Sequence, residues 1–140
     1  MNLTKLEDQL IQHEGLRLDM YRDSVGIWTI GIGRNLEHVG LRTEAEARYL
    51  LRSDVLAIRA EIERSIQWVG DLNEVRQRVL MDMAFNLGVS GLMKFQKTLR
   101  HVAAGRYEAA AQEMLRSRWA DQVGQRAMTL SKMMATGHDD

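Results

Sequence analysis

The hydrophobic periodicity of this chain is helical along most of its length and changes to that of a strand in one place. Over residues 16–33, apolar and polar side chains alternate, and residues 27–33 are rich in β-branched and aromatic types. Between the two halves of this segment, Asp23 to Gly26 has the composition of a tight turn. The segment therefore predicts a β-hairpin in an otherwise helical chain.

Helical periodicity lies on both sides of the hairpin. Thr4 and Glu7 have the spacing of a capping box and predict the start of a first helix, which Gly15 would end. Thr43 and Glu46 repeat the pattern ahead of a long amphipathic helix, whose apolar residues recur at helical intervals. The hairpin is therefore expected between a short helix and a long one, and a short loop at 34–41 is expected between the hairpin and the long helix.

The C-terminal half predicts further helices. A nearly all-apolar segment, which Asn73 would cap and Gly88 would end, is typical of a core helix. Asp82 and Asn86 are its two polar interruptions and need partners or solvent. Three more helices are expected, at 92–104, around Tyr107 to Met114, and at about 122–135. The predicted fold class is α+β, mainly α, in a single domain. Its parts are helical segments at 1–13 and 69–140, a β-containing lobe at about 14–43 and a connecting helix at 44–68.

The composition excludes several classes of protein. The chain has no cysteine, which excludes disulfide scaffolds, thiol nucleophiles and cysteine-bound zinc. Its four histidines show no metal-ligand spacing, and its 19 basic and 19 acidic residues cancel, which argues against nucleic acid as a partner. No apolar run is long enough for a membrane span, and the N-terminus lacks the pattern of a signal peptide. We therefore expect no cofactor, no metal, no nucleic acid and no stable membrane association.

Glu14 and Asp23 are the candidates for chemistry. Glu14 ends the first predicted helix, Asp23 lies in the predicted turn, and Thr29 follows with a hydroxyl able to position a water molecule. Most acidic side chains are simply solvated, so the pair alone is weak evidence. Cleavage of a glycosidic bond nevertheless needs this combination. One carboxyl must donate a proton, while a second, ionised one activates water or stabilises the developing cation.

Other motifs carry less chemistry. None of the serines has the context of a nucleophile elbow. Residues 31–33 lack the third glycine of a dinucleotide-binding turn, and Gly31 and Gly33 instead indicate a close backbone approach, a bulge or a bend. The cluster of Arg116, Arg118 and Arg126 is more typical of a solvated rim than of a nucleic-acid site, although it could also meet an anionic substrate. The acid pair is therefore the strongest candidate site.

The segment from Glu14 to Gly33 closely resembles the catalytic segment of the T-even type phage lysozymes, glycoside hydrolase family 24. That family carries a Glu, eight further residues, an Asp, five further residues and a Thr, which begins the run Thr-Ile-Gly-Ile-Gly. Glu14, Asp23 and Thr29 keep this spacing, and the run from Thr29 is identical. The similarity extends over residues 76–88, 117–119 and 125–127, and so covers most of the chain. It implies a lysozyme-like fold in which a long helix joins a small β-hairpin lobe to a C-terminal helical lobe.

The resemblance also implies an activity. It indicates an endolysin-type muramidase, a glycoside hydrolase that cuts the β-1,4 bond between N-acetylmuramic acid and N-acetylglucosamine in peptidoglycan. By this resemblance Glu14 is the general acid, Asp23 is the second carboxylate and Thr29 holds the water, with inversion as the favoured outcome. The substrate-binding positions that it implies are Asn35, Phe85, Asn86, Thr98 and Glu113.

Several positions depart from the family pattern. Arg34 and Asn35 replace a His and a Leu, so a buried ion pair built on that His would be absent or rebuilt. Part of the β lobe before Thr43 is missing, which predicts a shorter wall of the substrate cleft. Glu113 replaces a neutral amide, and Arg126 matches an arginine near the catalytic glutamate.

Two alternatives stay open. The first is a lytic transglycosylase that uses Glu14 alone, and the second is a non-catalytic cell-wall-binding or phage structural module. The presence of Asp23 and Thr29 at the family spacing counts against both. As an endolysin, the protein is expected to be a monomer made in the host cytoplasm, which reaches the periplasmic cell wall through a holin.

Overall fold

A computed structural model describes residues 1–139, which form eight α-helices and three short strands. The chain divides into two compact units, residues 1–50 and the remainder from Leu51, and the boundary falls within helix α2. The elements are α1 (Leu3–Glu14), β1 (Arg17–Arg22), β2 (Trp28–Gly31), β3 (Arg34–Asn35), α2 (Glu44–Ser65), α3 (Glu74–Leu87), α4 (Val89–Met93), α5 (Gln96–Ala103), α6 (Tyr107–Leu115), α7 (Arg118–Val123) and α8 (Gln125–Thr136). The predicted α+β, mainly α class is confirmed. Within residues 1–139, none of the helices has both the length and the hydrophobicity needed to cross a lipid bilayer.

Helix α1 begins two residues earlier than its sequence pattern predicts. The side chain of Asn2 accepts a hydrogen bond from the Lys5 amide at 3.0 Å, so Asn2 is the N-cap. The predicted capping box at Thr4 is wrong, because Thr4 already lies in the first turn of the helix. The predicted end at Gly15 is confirmed: its φ is +78° and its amide donates to the Ile11 carbonyl. Glycine suits this cap because it adopts positive φ without a Cβ clash.

The three strands form one antiparallel sheet in the order β1-β2-β3. Thr29, in the central strand, lies opposite Tyr21 on one side and Asn35 on the other. The hairpin of β1 and β2 was predicted, whereas β3 falls in a segment expected to be a loop. A two-residue strand has too little alternation for periodicity to reveal it.

Helix α2 starts at the capping box predicted for Thr43. The Thr43 hydroxyl accepts from the Glu46 amide at 3.1 Å, and the Glu46 carboxylate accepts from the Thr43 amide at 3.1 Å. The helix ends at Ser65, earlier than the predicted residue 68, and a single 3₁₀ turn follows at Val69–Asp71. Periodicity does not mark this end because buried apolar residues continue through Ile66 and Val69.

The core of the second unit is built around α3. Val79, Leu80 and Met83 on α3 are fully enclosed, and α3 packs against α4 and α8. The predicted cap at Asn73 is confirmed, since its side chain accepts from the Arg76 amide at 3.0 Å. Two predicted helices are each interrupted. The segment at 92–104 divides into α4 and α5, and the segment at about 122–135 divides at Gly124 into α7 and α8.

Arg76 ties α3 to the end of α8. Its guanidinium donates to the carbonyls of Met134 at 2.8 Å and Ala135 at 3.1 Å, and it stacks 3.6 Å from the centre of the Tyr107 ring. The last carbonyls of a helix lack partners within the helix, and these bonds satisfy two of them. A side chain at Gly137 would lie 2.9 Å from the same guanidinium, which explains a glycine at this position.

Candidate active site

Glu14 is the last residue of α1 and its side chain is exposed. Its carboxylate lies against the backbone of Gly33, because a Cβ built on Gly33 would be 2.7 Å from Glu14 Oε2. Gly33 also has a φ of +67°, a conformation that other residues rarely adopt. Both the backbone geometry and the space beside the carboxylate therefore require glycine here.

Asp23 is held by the turn of the hairpin. Its Oδ1 accepts hydrogen bonds from the amides of Val25 and Ile27, each at 2.9 Å. Its own amide donates to the Ile27 carbonyl at 2.9 Å, and its carbonyl accepts from the Gly26 amide at 3.0 Å. One oxygen of the half-buried carboxylate is thus engaged by the turn, which leaves Oδ2 as the oxygen able to interact with water or substrate.

Thr29 is buried on β2, with 4% of its surface exposed. Its hydroxyl donates to the Ile27 carbonyl at 2.9 Å. Because the hydroxyl proton is committed to that carbonyl, the free lone pairs of Oγ1 can act only as acceptors. The peptide groups of Ile27 therefore connect the two side chains: its amide donates to Asp23 and its carbonyl accepts from Thr29.

The sheet places Asn35 beside Thr29 as its cross-strand neighbour. The Asn35 amide oxygen accepts from the amides of Glu37 at 2.9 Å and His38 at 2.8 Å, so it shapes the turn after β3. The NH₂ group is the part of this side chain left for a substrate. Asn35 thus has a structural role that the sequence did not reveal.

Arg34 forms an ion pair of its own in the first unit. Its guanidinium donates to Glu46 Oε1 at 3.0 Å and to the Gly40 carbonyl at 3.0 Å. The pKa of Glu46 is lowered, first by the hydrogen bond from the Arg42 amide and also by the Thr43 amide and the Arg34 charge, against an opposing effect of burial. The position that departs from the family pattern is therefore occupied by a pair that joins β3 to the start of α2.

Two of the predicted substrate-binding residues are adjacent on α3. Phe85 is exposed, with 47% of its surface accessible. The Asn86 amide oxygen accepts from the indole Nε1 of Trp119 at 2.8 Å, and Trp119 packs edge-on against Phe95 with ring centres 6.0 Å apart. The polar interruption at Asn86 in an apolar helix is explained by this hydrogen bond, which leaves its NH₂ group available.

The other polar interruption of α3 is Asp82, which pairs with Arg126. The Arg126 guanidinium donates to Asp82 Oδ1 through Nε at 2.8 Å and approaches it through a terminal nitrogen at 2.6 Å. Both residues line an apolar groove of about 590 Å³ that also includes Phe85. Phe85 and the paired Arg126 therefore line the same groove.

Thr98 and Glu113 come together elsewhere in the second unit. Both line a groove of about 370 Å³, although they lie on different helices, α5 and α6. Glu113 pairs with Arg116 at 3.2 Å, and Thr98 is almost fully buried. Across residues 1–139, no group of three or more histidine, aspartate or glutamate side chains has an arrangement able to hold a metal ion.

Sequence reasoning missed two contributors to the geometry of the first unit. Ile27 acts only through its main chain, which leaves no signature in the side-chain type. Gly33 was recognised as a place of close backbone approach, but its neighbour Glu14 could not be identified from the sequence.

Comparison with known proteins identifies the family to which this chain belongs. The family model described as phage lysozyme matches residues 11–134. Such a match defines a lytic enzyme of the glycosidase type whose substrate is peptidoglycan. The chain belongs to the phage lysozyme family.

The relatives include probable lysozymes, endolysins and a phage spike protein. The chain is 24% identical to probable T4-type lysozyme 1 of Dictyostelium discoideum, over 96% of both chains. It is 27% identical to the SAR-endolysin of Escherichia phage Mu, over 94% of this chain and 80% of that protein. It is 30% identical to the pre-baseplate central spike protein Gp5 of Enterobacteria phage T4, over 95% of this chain but 28% of that longer protein.

Proposed function

We propose that this enzyme hydrolyses the β-1,4 bond between N-acetylmuramic acid and N-acetylglucosamine, with Glu14 as the general acid and with Asp23 and Thr29 activating the attacking water. One observation carries the proposal: the main chain of Ile27 holds both Asp23 and Thr29 through hydrogen bonds of 2.9 Å. A carboxylate and a hydroxyl acceptor with fixed positions are the groups that a general-base mechanism needs to orient one water molecule.

Glu14 supplies the proton. Its exposed carboxyl at the end of α1 is free to approach a glycosidic oxygen, and Gly33 borders it on one side. Protonation of that oxygen as the bond breaks converts a poor leaving group into a neutral hydroxyl. We therefore expect the rate of cleavage to depend more on the position of the Glu14 carboxyl than on residues elsewhere in the fold.

Asp23 and Thr29 orient the nucleophile. A water molecule can donate one proton to Asp23 Oδ2 and the other to Thr29 Oγ1, because both atoms are left as acceptors. Its lone pair then points away from both groups, towards the anomeric carbon. As the new C–O bond forms, Asp23 takes one proton of this water while Glu14 gives its own to the leaving oxygen. The product inverts its anomeric configuration, and solvent restores the two protonation states.

The test combines variants with product analysis. Glu14→Gln and Asp23→Asn should each lower the rate of lysis of purified peptidoglycan by at least ~100-fold, since each removes a proton-transfer group. Glu7→Gln on α1 and Asp19→Asn on β1 remove exposed carboxylates from the same elements and serve as matched controls. Lysis by Glu14→Gln within a few-fold of the unmodified enzyme would contradict the assignment.

Product chemistry tests the bond and its stereochemistry. Mass spectrometry of the fragments should show N-acetylmuramic acid at a new reducing end, and proton NMR of the fresh digest should show the α anomer first. The β anomer would contradict inversion and indicate a covalent intermediate on Asp23. A 1,6-anhydro product would instead identify a lytic transglycosylase.

The same proposal includes the substrate contacts and the route to the substrate. Asn35, Asn86, Thr98 and Glu113 would offer hydrogen bonds to the glycan, while the exposed ring of Phe85 would pack against a sugar face. The enzyme would act as a monomer, made in the host cytoplasm and released to the cell wall through a holin. Sedimentation of the purified protein and lysis with and without a co-expressed holin test these two points.

A second candidate function follows from the similarity to the spike protein, in which a region of this kind is part of a much longer chain. This chain could likewise be a phage structural module that binds the cell wall without cutting it. Binding of the protein to purified peptidoglycan with no release of reducing ends would favour that function over the enzyme.

A further inference from the structure

The turn that carries Asp23 is held by an arginine that the proposed chemistry does not use. Arg22 precedes Asp23 at the end of β1 and lies opposite Trp28 in the register of the sheet. Its Nη1 donates to the Gly26 carbonyl at 3.0 Å, and its guanidinium carbon lies 4.2 Å from the centre of the Trp28 ring. The exposed arginine therefore spans the mouth of the hairpin, from the end of the first strand to the last residue of the turn.

The carbonyl that Arg22 contacts belongs to the same peptide group as the Ile27 amide. That amide donates to Asp23 Oδ1 at 2.9 Å, so one planar unit accepts from the guanidinium at one end and donates to the carboxylate at the other. Because successive hydrogen bonds polarise one another, the positive guanidinium makes this amide a stronger donor to the carboxylate. Within residues 1–139, Arg22 and Asp23 form no direct ion pair, and this peptide group is the contact that links them.

The peptide between Gly26 and Ile27 would rotate easily without this bond. Gly26 has a φ of +86°, and glycine restricts the backbone around it least of all residues. The hydrogen bond from Arg22 limits that rotation. The half-buried Trp28 ring limits the movement of the arginine in turn, because a guanidinium stacks favourably on the face of an indole. The Ile27 amide is thus oriented by a side chain that is itself held in place.

We infer that Arg22 is a positioning residue for Asp23, an inference that rests on the proposed function. Arg22 holds the peptide between Gly26 and Ile27, and this peptide holds Asp23 Oδ1. Asp23 Oδ2 then points in a fixed direction, towards the water that it shares with Thr29. Trp28 contributes by holding the guanidinium. Arg22 itself contacts neither the water nor the sugar, so its loss should lower kcat and leave KM unchanged.

Kinetics of Arg22 variants test the effect on the reaction. Arg22→Met keeps an unbranched stem but removes the donor, and it should lower kcat on soluble peptidoglycan strands about 10-fold, as for one hydrogen bond to a charged group. Arg22→Lys keeps a charged donor and should recover most of the loss. The matched control is Arg17→Met, because Arg17 stacks on the Tyr21 ring at 4.3 Å at the opposite end of β1, away from the turn. The control should leave kcat unchanged, and Arg22→Met and Arg17→Met should unfold at similar urea concentrations.

A double variant tests whether Arg22 acts through Asp23. Once Asp23→Asn has removed the base, the orientation of that side chain no longer affects proton transfer. Arg22→Met added to Asp23→Asn should therefore lower the residual kcat by less than about 2-fold, whereas independent effects would multiply. A further loss as large as that of Arg22→Met alone would overturn the inference.

NMR of the substrate-free protein reports on the same contact without any activity. In Arg22→Met, the amide proton of Ile27 should move upfield and exchange with solvent faster, because its hydrogen bond to Asp23 weakens. The Val25 amide is an internal control, since it donates to the same Oδ1 at 2.9 Å from a different peptide group. Its chemical shift should change less than that of Ile27. A change at Ile27 no larger than that at Val25 would overturn the inference.

The failures of the inference and of the proposed function are distinguishable. Equal kcat values for Arg22→Met and Arg17→Met would overturn the positioning role and leave the hydrolase intact. A rise in KM with an unchanged kcat in Arg22→Met would do the same, because it would indicate a contact with substrate. An unmodified protein that releases no reducing ends from peptidoglycan would overturn the proposed function and the inference with it.

Discussion

Replacement of Gly33 by alanine tests how closely the backbone positions Glu14. The new Cβ would lie 2.7 Å from Glu14 Oε2 and 3.1 Å from its Cδ, whereas ordinary contacts begin at about 3.4 Å. The carboxyl group must therefore retreat by several tenths of an ångström. Because Glu14 is a flexible and exposed side chain, this movement costs little stability.

The effect on catalysis is expected to be much larger than the effect on folding. A misplacement of about 1 Å of a reacting group can lower a rate by about 100-fold. We therefore expect Gly33→Ala to lower kcat by about 10- to 100-fold. The left-handed backbone at φ +67° adds a cost of about 1–2 kcal/mol to the free energy of folding, because alanine has a Cβ.

Gly31→Ala is the matched control. Gly31 has a φ of +69°, and a Cβ built on it meets no other atom within 4 Å. The two substitutions therefore place a Cβ at nearly the same positive φ, but only Gly33→Ala displaces Glu14. Urea denaturation should give similar losses of stability, of about 1–2 kcal/mol, for both variants.

The assay is the initial rate of reducing-end release from soluble peptidoglycan strands at saturating substrate. The reasoning predicts a loss of kcat for Gly33→Ala that Gly31→Ala does not share. Equal rates in the two variants would refute it, whether both remain active or both lose activity. In that case the contact between Gly33 and Glu14 does not position the carboxyl for chemistry.

Two further predictions concern stability. Arg76→Met should lower the free energy of unfolding by about 2–4 kcal/mol in urea denaturation, because it removes two charged hydrogen bonds and a cation–π contact at the end of α8. The control, Arg78→Met, breaks an exposed ion pair and should change the free energy of unfolding by less than about 1 kcal/mol. Equal losses in the two variants would contradict the role of Arg76 in holding the end of α8. Glu46 has a lowered pKa in the folded state, so its contribution is present above its unfolded value of 4.5 and is lost as the pH falls through the folded value. Glu46→Gln should therefore have a lower free energy of unfolding than the unmodified protein at pH 7, and the two values should converge in acid. The control, Glu44→Gln at an exposed position, should differ little from the unmodified protein at either pH. A difference between Glu46→Gln and the unmodified protein that persists in acid would show that the ionised carboxylate is not responsible.

Local features of the fold were predictable because they depend on residues close in sequence. The capping box at Thr43 needs only the side chain and amide of Glu46, and Gly15 ends α1 because a positive φ suits glycine. The hairpin followed from alternation and from turn residues between its strands. The same reasoning failed at Thr4, where Asn2 supplies the cap two residues earlier, and it could not separate α4 from α5.

The candidate site likewise has features that the sequence alone determines and features that depend on the tertiary structure. The sequence by itself determined the family resemblance and the choice of Glu14, Asp23 and Thr29 as candidates, because both depend only on residue types and their spacing. Only the tertiary structure decided how they are held. The main chain of Ile27, which carries no side-chain signal, binds Asp23 and Thr29 together.

Contacts between distant residues were likewise beyond the sequence. Gly33 meets Glu14 only because the sheet returns to the end of α1, and Thr98 shares a groove with Glu113 only because α5 and α6 pack together. Such contacts depend on how elements pack rather than on local preference, so no spacing rule encodes them. The sequence thus identifies the chemical groups of the candidate site, and the packing of the helices and strands determines which neighbouring residues orient them.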